Sequence, residues 1–114
     1  MSEHKPYTLT ELSDFIDEQH EHLKELFPDA YADFEKLAFT GIAKLNEETG
    51  ELAEAVLKHF NRQRKTKTLE EDPIPKEIAD VIIVSLLLAR QFDIDITQMM
   101  QDKIAYLQKR RESE

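Results

Sequence analysis

The chain has 114 residues and a formal net charge of −9, with no cysteine, two glycines and four prolines. The length suits one domain with a modest core, and the scarcity of glycine and proline argues against a sheet-based fold with many tight turns. The acidic charge excludes a general binder of nucleic-acid polymers, which needs a basic surface, and the missing cysteines exclude disulfides and thiolate chemistry. We therefore expect an all-α protein.

The first predicted helix starts near the N-terminus and ends at Pro28. Thr8 followed by Glu11 matches a capping box, in which the two residues satisfy each other's backbone N–H groups. Apolar residues then recur at helical spacing as far as Phe27. His20 falls within this segment and is interpreted as a surface residue.

The second predicted helix is long and carries the first acidic motif. Asp29 is a candidate N-cap, and apolar residues keep a helical period for about eight turns, up to Phe60. Thr40 and Gly41 form a candidate break within it. Residues 61–76 then read NRQRKTKTLEEDPIPK, a nearly apolar-free stretch that predicts a polar loop.

The basic run within this loop, residues 62–67, has two interpretations. It is predicted to be an ordinary exposed loop, with a basic lid over a bound triphosphate as the alternative. The third predicted helix follows, with Pro75 in its first turn, where the missing N–H is tolerated, and runs to about Gln91. Asp95 or Thr97 is predicted to cap a fourth helix that ends near Arg110.

The third predicted helix bears on assembly. Its sequence, IADVIIVSLLLA, is apolar nearly all round, which is typical of a helix buried on every side. Three companion helices from one small chain are too few to cover it. We therefore predict an antiparallel four-helix-type bundle completed by a second copy of the chain, as a homodimer or a dimer of dimers.

Two acidic pairs stand on the second and third predicted helices. Glu48 lies at the border of the buried stripe and Glu51 follows one turn later, while Glu77 and Asp80 are also one turn apart. Asp80 adjoins the apolar run, and a buried carboxylate must be protonated, paired or bound to a metal ion. A solvated acidic face is the alternative for all four residues.

The pattern is thus E-x-x-E on one helix and E-x-x-D on the next. Carboxylates that face one another across two antiparallel helices form a negative, oxygen-rich site. Such a site suits a hard cation, Mg²⁺ or Mn²⁺, that keeps open positions for phosphate oxygens.

These motifs resemble a known family. KLNEETGELAEAV followed by EIADVIIVSLLLA is similar to the MazG-like branch of the all-α nucleoside triphosphate pyrophosphohydrolases, whose signature is E-E-x-x-E, a variable gap, then E-x-x-D. The resemblance covers residues 44–103. The family often places an asparagine four residues after a lysine of the last helix, whereas Leu107 stands at that position after Lys103.

The resemblance implies an Mg²⁺-dependent hydrolase of the phosphoanhydride bond, which converts a (deoxy)nucleoside triphosphate and water to the monophosphate and pyrophosphate, as in house-cleaning of the nucleotide pool. Mn²⁺ is a candidate substitute for Mg²⁺. The implied metal ligands are Glu48, Glu51, Glu77 and Asp80. Glu47 would support them or would orient or deprotonate the attacking water, so Glu47 and Glu48 are the candidate catalytic residues. Lys44 and Lys103 are candidate substrate contacts.

The expected organisation is one MazG-like helical domain over residues 1–114. The N-terminus lacks the apolar segment of a signal peptide, and the longest apolar run is about half of a membrane span, so a cytoplasmic location without membrane contact is expected. One rival is a non-catalytic helical module that binds a metal ion or a protein partner through the same face. A redox di-metal bundle is a weaker rival, because it needs E-x-x-H pairs that the core helices lack.

Overall fold

The computed structural model describes residues 5–61 and 73–114. Within these ranges the chain forms helices and no strand, which confirms the all-α prediction. The helices are α1 (Leu9–Leu26), α2 (Pro28–Tyr31), α3 (Phe34–Asn61), α4 (Ile74–Gln91) and α5 (Ile96–Ser113). The predicted lid or loop at 62–67 lies outside the described residues.

The predicted capping box starts α1. The Thr8 backbone N–H donates to Glu11 Oε1 at 2.8 Å, and the Glu11 backbone N–H donates to Thr8 Oγ1 at 3.0 Å. At the other end, the Phe27 N–H donates to the Leu23 carbonyl at 2.8 Å, and Pro28 starts the short helix α2. The predicted boundaries of this helix are confirmed.

The long second helix begins later than predicted. Asp29 does not cap it; the chain turns once in α2 and starts again at Phe34. Asp33 is the capping residue, since its Oδ1 accepts a hydrogen bond from the Lys36 N–H at 3.1 Å. Because α2 lies between α1 and α3, the chain can reverse direction before the long helix.

The candidate break at Gly41 is wrong, because α3 runs through it without interruption. Gly41 instead permits a close approach between α3 and α4. A Cβ atom placed there would lie 2.9 Å from Leu88 Cδ1 and 3.1 Å from Gln91 Oε1. Gly41 is therefore required for the packing of α3 against α4 and does not form a turn.

The last two helices begin with the residues that the sequence predicts. Pro75 lies in the first turn of α4, and Asp95 caps α5 by accepting a hydrogen bond from the Gln98 N–H at 3.0 Å. Between them, Asp93 adopts a positive φ of 60°, a conformation that aspartate tolerates better than most residues. Helix α5 continues beyond the predicted end, to Ser113.

The core lies where α1, α4 and α5 meet. Ile16, Leu86, Ala89 and Ile96 are its buried residues. Towards the N-terminus of α4 the same face is open, and Ile82 is 47% exposed. The predicted burial of this helix on every side is therefore not achieved within one chain. None of the described helices combines the length and the apolar character that a membrane crossing requires.

Candidate metal site

Three of the predicted ligands converge between α3 and α4. One carboxylate oxygen from each of Glu48, Glu51 and Glu77 lies within 4.8 Å of the others. The two helices pack antiparallel, since Gly41 approaches the C-terminal end of α4 while Glu48 and Glu51 meet its first turn. We call these three residues the acidic cluster.

Glu48 is the most buried member of the acidic cluster. It is only 7% exposed, and it belongs to the face of α3 that also buries Leu37 and Ala55. The sequence had placed it at the border of that face. Its Oε2 lies 3.2 Å from Lys44 Nζ, while its Oε1 is buried without a hydrogen-bond partner among the described residues. A buried carboxylate with one unsatisfied oxygen favours a bound cation.

Glu51 and Glu77 add to the negative charge. The charge on Glu48 raises the pKa of Glu51, and desolvation and the neighbouring Glu77 raise it further. Glu77 is half-buried, and its Oε1 is a second buried oxygen that lacks a partner in the described part of the chain. Like charges at this spacing oppose one another unless a positive ion lies between them.

Among the described residues, Lys44 is the basic residue that forms an ion pair with the acidic cluster. Its Nζ lies 3.2 Å from Glu48 Oε2 and 3.4 Å from Glu47 Oε1. The hydrogen bond to Glu48 is the main reason that the pKa of Lys44 is raised. Glu47 is exposed and adjoins the acidic cluster through this shared lysine.

The fourth predicted ligand, Asp80, lies outside the acidic cluster. Its Oδ2 is 3.7 Å from Lys76 Nζ, and 42% of its side chain is exposed. The sequence analysis placed Asp80 against the apolar run and Glu48 at the border of the buried stripe. In the structure Glu48 is the more buried of the two.

Lys103 is not brought to the acidic cluster within the chain. It lies on the exposed part of α5 with its Nζ 4.9 Å from the centroid of the Tyr106 ring. Helix α5 packs against α1 and α4, and in the described residues it does not contact α3. The substrate contact by Lys103 stays a prediction.

A second polar cluster was missed by the sequence analysis. Arg90 Nε lies 2.6 Å from Asp17 Oδ1, as an ion pair whose N–H is not aligned for a hydrogen bond, and Asp93 Oδ1 is 3.8 Å from Arg90 Nη1. Beside them His20 is buried and meets the ring of Tyr31 edge-on, with 5.4 Å between centroids. We call these five residues the paired cluster.

The surface assignment of His20 is therefore wrong. Burial is the main reason that the pKa of His20 is lowered, and the positive charge of Arg90 lowers it further. The available signal was spacing, since His20 follows the fully buried Ile16 by one helical turn.

The acidic cluster fits a divalent ion by its chemistry. It offers only carboxylate oxygens, the ligands that Mg²⁺ and Mn²⁺ prefer. Two of these oxygens, on Glu48 and Glu77, are buried and lack partners among the described residues. Buried carboxylate oxygens without partners are not expected of an ordinary solvated acidic face.

Comparison with known proteins agrees with the motif. The model of the MazG nucleotide pyrophosphohydrolase domain matches residues 39–113, which include the acidic cluster and all of α5. No curated protein sequence and no solved structure shows significant similarity to the chain. The matched region covers more than half of the sequence, so the chain belongs to the MazG nucleotide pyrophosphohydrolase family.

Proposed function

We propose that the protein is an Mg²⁺-dependent nucleoside triphosphate pyrophosphohydrolase, which converts a (deoxy)nucleoside triphosphate and water to the monophosphate and pyrophosphate. The observation that carries the proposal is the convergence of Glu48, Glu51 and Glu77 within 4.8 Å, on the motifs of this family. Removal of unwanted nucleotides from the cellular pool is the proposed role.

Glu48, Glu51 and Glu77 are the proposed metal ligands. Asp80, one turn after Glu77, is proposed as a fourth ligand; it would exchange its ion pair with Lys76, which is exposed and flexible. A bound Mg²⁺ neutralises phosphate charge, lowers the pKa of a water ligand and stabilises the leaving pyrophosphate. Mn²⁺ has the same ligand preference and is the proposed substitute.

Glu47 and Lys44 lie beside the acidic cluster and have complementary proposed roles. Glu47 is exposed beside the acidic cluster, and we propose that its carboxylate orients or deprotonates the attacking water. Lys44 carries a positive charge at the same place and has half of its side chain exposed, so its ammonium group can contact a phosphate oxygen. Lys103 is proposed as a further phosphate contact.

We also propose that the protein works as a homodimer or a dimer of dimers. Phe39, Leu57 and Phe60 are 64–72% exposed on α3, and Ile78 and Ile82 are open on α4. Every residue from 101 to 114 on and after α5 is exposed as well. These exposed apolar side chains on α3 and α4 support the proposal, and a second copy of the chain is the proposed cover.

Light scattering of the purified protein at micromolar concentration tests the assembly. The expected mass is at least twice that of the 13.4 kDa chain. A mass of 13.4 kDa would contradict the dimer. The helical arrangement within the dimer then follows from crystallography of the complete protein.

A panel of nucleoside triphosphates tests the reaction. We expect pyrophosphate and the monophosphate to appear with Mg²⁺ or Mn²⁺ and to be absent with EDTA. Orthophosphate and the diphosphate would contradict the proposed bond cleavage. If calorimetry detects metal binding but no triphosphate reacts, the protein is the non-catalytic module instead. Comparison of canonical with damaged nucleotides in the same panel tests the house-cleaning role.

A further inference from the structure

We propose that Lys44 is a built-in counter-ion of the metal-free protein, which holds the acidic cluster together and must leave Glu48 before a divalent ion binds. This inference rests on the proposed function, because it concerns access to the same metal site. In this role Lys44 acts before any contact with substrate, because it sets the affinity of the site for the ion.

The geometry places the ammonium group where it competes with a metal ion. Lys44 Nζ is 3.2 Å from Glu48 Oε2 and 3.4 Å from Glu47 Oε1, so it is shared between a buried and an exposed carboxylate. Glu48 is only 7% exposed, and its other oxygen has no partner within the described ranges. An incoming ion that uses both oxygens of Glu48 must therefore displace the lysine.

No other cation in the described part of the chain shares this position. The remaining lysine and arginine ion pairs involve carboxylates outside the acidic cluster, such as Lys58 with Glu54 and Lys76 with Asp80. The acidic cluster together with Glu47 carries four negative charges when ionised, and Lys44 offsets one of them. The metal-free state is therefore less repulsive with Lys44 in place than without it.

Release of the lysine costs little, and binding of a divalent ion more than replaces its charge. About half of the Lys44 side chain is exposed, so the ammonium group can return to water at little cost. A divalent ion then supplies twice the charge at the same carboxylates. Removal of the lysine charge should weaken the metal-free fold while it strengthens metal binding, a pair of opposite effects that a simple structural residue does not produce.

The test is a titration of Lys44→Gln with MgCl₂ or MnCl₂ by calorimetry, without nucleotide and at fixed ionic strength. We expect the ion to bind about 5-fold more tightly than in the unchanged protein, because the ion no longer has to break the Lys44–Glu48 ion pair, whose attraction in water sets this factor. Lys58→Gln is the matched control, because Lys58 also pairs with a glutamate one turn away on α3. It should change the affinity less than about twofold.

Thermal unfolding provides the second readout. Without metal, Lys44→Gln should unfold at a lower temperature than the unchanged protein, and saturating Mg²⁺ should close the gap. Lys44→Arg keeps the charge and should behave like the unchanged protein in both measurements. Equal or weaker metal binding by Lys44→Gln would overturn the proposal.

The outcomes separate this inference from the proposed function. If the unchanged protein binds Mg²⁺ and releases pyrophosphate but Lys44→Gln keeps the same metal affinity, only the role of Lys44 fails. If Lys44→Gln binds the ion more tightly but the unchanged protein hydrolyses no triphosphate, the role of Lys44 holds and the proposed reaction fails. If the unchanged protein binds no divalent ion, both fail.

Discussion

The two ends of the α3–α4 pair differ in how their charged groups are paired. At one end Gly41 lets the helices approach closely, and the adjoining paired cluster joins Arg90 to Asp17 and Asp93. At the other end the acidic cluster brings three like charges together, with Lys44 as its partner. At the first end one arginine faces two carboxylates, whereas at the second one lysine faces the three carboxylates of the acidic cluster and Glu47.

The difference separates structural from functional polar residues. Removal of one member of an ion pair destabilises a fold because the other charge loses its partner, whereas like charges at one place oppose folding and are found where a ligand requires them. The charge of Glu48 is the main reason that the pKa of Glu51 is raised, as repulsion between like charges requires. Neutralising Glu48 and neutralising Arg90 should therefore have different effects on stability.

The largest expected effect is at the acidic cluster. Glu48→Gln should lower the rate of pyrophosphate release at least about 100-fold, because it removes a proposed metal ligand and a candidate catalytic residue. Without metal, its free energy of unfolding should be unchanged or raised, since repulsion is relieved. Pyrophosphate release with Mg²⁺ and chemical denaturation without it are the two measurements.

Glu54→Gln is the matched control for this change. Glu54 stands on the same helix, is exposed, and pairs with Lys58 at 3.7 Å, outside the acidic cluster. It should keep the full rate. An unchanged rate in Glu48→Gln would remove the acidic cluster from the reaction.

The same kind of neutralisation should destabilise the other end. Arg90→Met should lower the free energy of unfolding by about 1–2 kcal/mol, because Asp17 loses its charged partner and the guanidinium is mostly buried. Pyrophosphate release per folded molecule should stay the same. Urea denaturation measures the first effect, and an increase in stability would contradict the distinction between the two ends.

The glycines of α3 test the packing of the same two ends. Gly41→Ala should lower the free energy of unfolding by about 1 kcal/mol, because its Cβ would meet the Leu88 methyl group at 2.9 Å and offset the gain in helix propensity. Gly50→Ala should raise it by about 0.5–1 kcal/mol, since an added Cβ meets nothing within 4 Å in the described residues. Equal effects on thermal unfolding would contradict the close approach at Gly41.

The smallest expected effect is on the pH dependence of stability. Burial, followed by the charge of Arg90, lowers the pKa of His20 in the folded protein, although Glu21 and Asp93 partly oppose this. The unfolded chain therefore takes up the proton first as the pH falls, and stability should decrease below the unfolded value of about 6.5.

Denaturation at pH 7.5 and pH 5.5 measures this decrease. Glu51, whose pKa is raised, acts in the opposite direction, so the comparison needs a His20→Gln variant that keeps Glu51. The unchanged protein should lose more stability than the variant over this interval. A larger loss in the variant would show that the folded protein favours the charged imidazole.

Local signals predicted the helices well. The capping box at Thr8, the proline in the first turn of α4 and the cap at Asp95 act over three or four residues, so the sequence suffices to place them. The acidic motifs were recognised for the same reason. Their spacing within each helix fixes which carboxylates share a face.

Burial was harder to predict, because it depends on how far a neighbouring helix reaches. Helix α1 covers Leu86 and Ala89 but leaves Ile82 open, a difference that one periodic pattern cannot encode. The greater burial of Glu48 than of Asp80 has the same origin. His20 was missed because its apolar contact, the ring of Tyr31, comes from a four-residue helix that the sequence does not mark.

The most direct test of the central claim is an anomalous difference map from a crystal grown with MnCl₂. We predict a peak bonded to carboxylate oxygens of Glu48, Glu51 and Glu77, with Asp80 as the fourth ligand and Lys44 Nζ displaced from Glu48. A map without a peak at the acidic cluster, with Lys44 still paired to Glu48 at saturating manganese, would contradict it.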